Sequence, residues 1–185
     1  MILWCASPVR AAEPRPAPPA STLPERALGS RLVLHGWSKD SRLVAYTRHR
    51  LEGPSQQVEQ RMHRFVKAGA FTGFGRMVGG DVARYAFDRG YVTSSLPIRK
   101  VTPTRFESHG DAPTLTLVFD VGEAHGWKLF VDGIERAAHR FDRIYVGFEV
   151  EVSPSPDGRQ AVVVMHLDTG WEIDAAIFAV SLTPN

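Results

Sequence analysis

Apolar and polar residues alternate over most of the C-terminal half of the chain. Leu115, Leu117, Phe119 and Val121 interleave with Thr114, Thr116 and Asp120, the period-two pattern of a strand with one buried face. Trp127, Leu129 and Val131 continue it. Asp132-Gly133 then supplies a tight hairpin turn, because glycine accepts the positive φ that such a turn demands. Ile144, Val146, Phe148, Val150 and Val152 form the longest alternation, which assigns Arg143, Tyr145, Glu149 and Glu151 to the opposite, outer face. Pro156-Asp157-Gly158 turns the chain into residues 161–167, apolar on both parities, so this strand is expected to be central or covered. Residues 176–182 make the last strand.

The N-terminal half has shorter signals. Residues 31–34 and 42–47 read as two strands around Ser38-Lys39-Asp40-Ser41. Ser55 follows Pro54 as an N-cap, and Val58, Met62, Phe65 and Val66 recur at the spacing of one helical face until Gly69. After a glycine-rich stretch, Asp81 caps a second helix that turns Val82, Tyr85 and Ala86 inward and stops at Gly90. Pro97 and Pro103 punctuate an irregular stretch up to Asp111. Strands in one sequential block with two helices inserted after the first hairpin predict an α+β fold. Its largely antiparallel sheet would be a meander of about 7–8 strands, with the helices on one face.

Composition refines the organisation. A chain of 185 residues suits one domain, expected over residues 28–185. Residues 13–27 hold Pro14, Pro16, Pro18, Pro19 and Pro24, which remove amide donors and fix φ, so they form an extended linker. Residues 1–12 read as a truncated signal peptide: the apolar run from Met1 to Ala6 precedes Val9-Arg10-Ala11, with cleavage before Ala12. This leader implies a periplasmic or secreted protein. The only cysteine is Cys5, so the folded part has no disulfide, thiol nucleophile or thiolate ligand. A net charge of +2 gives no reason to expect a nucleic-acid partner. Arg42, Arg48, Arg50, Arg61, Arg64 and Lys67 make a locally basic run, read as the solvated face of a strand and a helix. No apolar stretch approaches the roughly 20 residues of a membrane span.

Ser155-Pro156-Asp157-Gly158-Arg159, running into Ala161-Val162-Val163, resembles the hairpin motif of TolB-type β-propellers. Ser38-Lys39-Asp40-Ser41-Arg42, running into Val44-Ala45-Tyr46, is similar in the same register, with Lys39 for proline and Ser41 for glycine. Propeller blades recur at about 40–45 residues, far closer than these two copies, so a closed propeller is not implied. The chain also resembles an uncharacterised bacterial family of predicted secreted proteins. Gly36-Trp37-Ser38 opens the similarity, and Ser155 to Arg159 followed by Gly170-Trp171-Glu172 closes it. That resemblance implies export and carries no active site.

Few residues offer chemistry. His166 and Asp168 share a strand face, and Glu172 and Asp174 follow the Gly170 turn. These four are the one set with ligand types for a hard or borderline metal. Gly73, Gly75, Gly79 and Gly80 precede a helix and form a candidate anion loop, although no Lys-Ser/Thr follows as a P-loop requires. Trp37, Trp127 and Trp171 each adjoin a turn or strand start and form a candidate aromatic binding surface. Gly36-Trp37-Ser38 lacks the later glycine and the helix of a hydrolase elbow, and Glu149 with Glu151 lie on one strand rather than across a substrate. With no credible catalytic set and no cofactor implied, the sequence favours a non-catalytic binding or structural domain of the cell envelope. Its partner would be a protein or an envelope component. The competing reading is a small metal-dependent hydrolase built on residues 166–174.

Overall fold

A computed structural model gives the fold over residues 28–52, 55–67, 70–71, 76–77, 80–109, 113–122 and 125–183. Residues 1–27, where a leader and a linker are expected, and Gly73, Gly75 and Gly79 lie outside the described residues. The chain runs through β1 (Leu28–Trp37), β2 (Leu43–Glu52), β3 (Ser55–Lys67), β4 (Ala70–Phe71) and β5 (Arg76–Met77) to the helix α1 (Val82–Asp88). It continues through β6 (Ile98–Thr102), β7 (Arg105–Ser108), β8 (Leu115–Asp120), β9 (Gly126–Val131) and β10 (Ile134–Arg140). β11 (Gly147–Pro154), β12 (Gln160–Asp168) and β13 (Ile173–Ser181) complete it.

The protein is mostly β, which corrects the α+β expectation. There are two sheets instead of one, and α1 is the one helix among the described residues. The first expected helix is the strand β3, paired antiparallel with β2 from Glu52↔Ser55 to Leu43↔Arg64. Val58, Met62 and Val66 are spaced by four, which fits one face of a strand as well as one face of a helix. The hairpin with β2 decides between them. The second expected helix is α1: Asp81 accepts from the Arg84 amide, and Val82 and Ala86 are buried. The stretch read as irregular contains the hairpin β6–β7, and β10 was not foreseen.

One sheet orders β11-β12-β13-β1-β2-β3-β4 with β5 beside β3; the other orders β10-β9-β8-β7-β6. All the pairings are antiparallel except that of β1 with β13, at Gly29↔Ile173. The strand β12 explains the layering. Its Ala161, Val163, Met165 and Leu167 pack against Leu115, Leu117, Phe119 and Leu129 of the five-stranded sheet. Its Val162 and Val164 pack the other way, against Leu32, Trp37, Val44 and Tyr46 of the β1–β2 hairpin. The strands β11–β13 are thus a middle layer with apolar contacts on both faces, as the two-sided composition of β12 demands.

The two similar turns lie side by side. In each, the serine hydroxyl donates to the aspartate Oδ1 at 2.6 Å (Ser38 to Asp40, Ser155 to Asp157) and accepts the amide of the next strand, from Leu43 or Gln160. Ser41 and Gly158 occupy the same left-handed position, at φ 59° and 68°. The Asp157 amide donates to Ser41 Oγ at 3.2 Å, and Trp37 Nε1 donates to the Ser153 carbonyl at 3.1 Å, so the two hairpins are bonded to each other.

Candidate functional site

The β1–β2 hairpin leaves the middle layer at one end, and the gap becomes a site. The face of β2 that seats Val44 and Tyr46 in the core continues with Arg48 and Arg50, which share their parity. The apolar stripe therefore turns cationic where the strand runs past the core. After Gly29 the backbone ladder between β1 and β13 stops. Side chains take over: the Ala175 amide donates to Ser30 Oγ at 3.0 Å, and Arg48 Nη2 donates to the Ala175 carbonyl at 3.1 Å.

A cleft of about 750 Å³ opens between this edge, β10 and the segment joining β10 to β11. Its aromatic wall begins with Trp127, which stacks on Phe178 with ring centroids 4.3 Å apart and lies directly opposite His139 across the β9–β10 ladder. Phe141 packs edge-on against Tyr145 at 4.7 Å. The polar walls carry Arg48 and Arg50 on one side and Asp142, Arg143, Glu172 and Asp174 on the other. Arg143 pairs with Glu172 and lies 3.7 Å from Asp174, whose Oδ2 accepts the Tyr145 hydroxyl at 2.8 Å. Burial, and then the hydrogen bond to Asp174, push the Tyr145 hydroxyl far above the ordinary phenol range. It is a fixed proton donor at any physiological pH.

The residues singled out from sequence are distributed unevenly about this cleft. Glu172 and Asp174 line it, but His166 and Asp168 do not join them. Asp174 pairs with Leu167 across β12 and β13, whereas His166 and Asp168 have the opposite parity. His166 Nε2 accepts the Leu32 amide at 3.0 Å, and Asp168 accepts the Gly170 amide at 2.7 Å. Both are structural acceptors, and among the described residues no three His, Cys, Asp or Glu side chains converge as metal ligands. Of the glycine loop only Gly80 is described, with φ 100°. The N-terminus of α1 beyond it is filled by the Asp81 carboxylate.

The three tryptophans also separate. Trp37 is fully buried, Trp127 is a cleft wall at 9% exposure, and Trp171 stands 87% exposed on the β12–β13 turn. Sequence reasoning missed Arg48, Arg50, His139, Phe141, Arg143 and Tyr145 as site residues. The available signal was the pair of arginines interrupting an apolar stripe of constant parity. Residues 144–146 are inverted relative to expectation: Tyr145 is buried, while Ile144 and Val146 are 60% and 69% exposed. The regular strand begins only at Gly147, so the alternation of β11 does not govern them. No protein-family model, curated protein or solved structure matches this chain.

Proposed function

We propose that this chain is an exported, non-catalytic binding domain of the cell envelope, and that the cleft beside Tyr145 is its binding site. Export is supported by the leader-like run before Ala12 and by the resemblance to predicted secreted proteins. The observation that carries the binding reading is the way the cleft's ionisable groups engage one another. Arg143 holds Glu172 and Asp174, and Asp174 holds the Tyr145 hydroxyl. A general base or nucleophile needs a reactive lone pair and a matched pKa, and here Glu172 and Asp174 are tied to Arg143 and the phenol is held in its protonated form. Such a set orients donors and acceptors around a ligand without attacking it. A concave site with an aromatic wall and a few fixed polar groups is the usual form of a ligand pocket.

The test is co-sedimentation of the purified protein with envelope fragments. The intact protein is expected in the pellet, and Arg48→Gln, which removes a guanidinium from the wall, is expected to leave most of it in the supernatant while still folding, with Tm lowered only by the roughly 2–4 °C that the lost bond to the Ala175 carbonyl accounts for. An intact protein that stays in the supernatant, or a variant that sediments as well as the original, overturns the reading.

A further inference from the structure

From the chemistry of its walls, we infer that the cleft takes an uncharged saccharide. The inference rests on the binding-domain reading of the same cleft and names its ligand class. The cleft is amphoteric: Arg48 and Arg50 face it from β2, while Asp142, Glu172 and Asp174 face it from the segment beyond β10 and from the start of β13. A phosphate or nucleotide would meet the two arginines favourably but would be repelled by three carboxylates, of which Glu172 and Asp174 share the single cation Arg143. An ammonium ligand meets the converse problem at the β2 wall. Hydroxyl groups suit both walls, because each can donate to a carboxylate and accept from a guanidinium.

Two further observations narrow the class. An extended peptide would add to a strand edge through backbone hydrogen bonds. The edge of β13 at the cleft is already occupied, with the Ala175 amide and carbonyl bonded to Ser30 and Arg48, so a peptide is confined to β10, the edge strand of the smaller sheet, and the peptide arm of the experiment tests that alternative. An acyl chain would need a continuous aliphatic lining, and the cleft offers only Leu167, Ala175 and Ala176. What remains is a wall of flat rings. His139 is the exposed ring, with Phe141, half-buried, 6.3 Å beyond it, and Trp127, stacked on Phe178 and only 9% exposed, backs His139 at 6.2 Å. The C–H face of a pyranose packs on such rings while its equatorial hydroxyls point sideways, here toward Arg48 and the Glu172–Asp174 pair.

The experiment titrates the intact folded protein with neutral hexose and N-acetylhexosamine oligosaccharides, a uronic-acid oligosaccharide, a nucleoside triphosphate and an unstructured peptide, followed by calorimetry and NMR. Neutral saccharides are expected to bind. His139→Ala and Arg48→Gln, both at partly or fully exposed positions, are expected to weaken that binding roughly tenfold or more, the first without lowering Tm and the second with only the roughly 2–4 °C loss that its bond to the Ala175 carbonyl accounts for. Binding confined to the uronic acid, the nucleotide or the peptide overturns the inference, as does saccharide binding that both variants leave intact. The same saccharides are added to the sedimentation assay. A protein that pellets with envelope fragments and is not displaced by any of them sinks the saccharide and leaves the binding-domain reading standing. A protein held by neither the fragments nor the saccharides sinks both.

Discussion

His166 shows how a residue's neighbours decide its role. Its ring is an acceptor for the Leu32 amide, 3.0 Å away, with Glu149 3.7 Å from the other nitrogen. Burial depresses its pKa below 6.5, with the Glu149 carboxylate opposing and Arg31 adding to the shift. Protonation would set one donor against another at Nε2, so the neutral ring is the form that holds β1. A depressed histidine pKa stabilises the fold fully above the unfolded value and loses that contribution as pH falls through the folded one. Stability should therefore drop on acidification from about pH 7 to about pH 5, with His49, also depressed by burial, adding to the slope. Thermal melts across that range check it: His166→Gln should flatten the slope. His166→Leu should cost about 1–3 kcal/mol at neutral pH, because it strands a buried amide. Ser41 makes a second residue-scale case. It accepts a left-handed φ that glycine would take without strain, and its hydroxyl caps the Asp157 amide of the other hairpin. Ser41→Gly should come out near neutral in urea denaturation, since relief of backbone strain offsets the lost bond. A loss above about 2 kcal/mol would show that the bond between hairpins dominates.

Among the elements, β12 was legible from sequence and β3 was not, for related reasons. Six apolar residues among the seven of 161–167, on both parities, admit one placement, a strand covered on both faces, and that is where β12 sits. Of the four apolar residues at helical spacing in β3, Val58, Met62 and Val66 are spaced by four and suit a strand face equally, Phe65 suits only the helix, and the partner strand overrides it. The hairpin β1–β2 was also legible, but its destination was not. Nothing in its own sequence says that it crosses to the far face of β12, so neither the cleft nor the roles of Arg48 and His166 could be read. Gly36 fixes instead where the hairpin meets the segment after α1. It sits at φ 117° after the bulge at His35, and a Cβ there would lie 2.6 Å from the Val92 carbonyl oxygen. Gly36→Ala should destabilise the protein by about 3 kcal/mol in urea denaturation, through steric and backbone strain together. A loss of only a few tenths would mean that the Trp37–Val92 bridge can shift to make room.

For the whole molecule, the governing fact is that the two larger apolar clusters share the middle strands β12 and β13. Neither outer layer can detach without exposing one face of β11–β13, so the most protected amides should be those of β12, which has a paired strand on each side. Native-state hydrogen exchange checks this. Amides of β12 should open only with global unfolding, whereas those of β6 and β10, the two edges of the smaller sheet, should open at lower free energy. Equal rates in β10 and β12 would contradict the layered description. The sequence announced a β meander, and the structure divides it into two sheets. The division depends on contacts between residues far apart in the chain, which local periodicity does not encode.

The parallel contact between β1 and β13 joins Gly29 to Ile173. During synthesis the opening strands emerge long before the layer they must rest on, and the ladder that receives them is completed only by the last strand described. Contacts of such long sequence separation make folding slow. Until β13 has been made, β1 lacks the strand it rests on, and the first hairpin has no middle layer to close against.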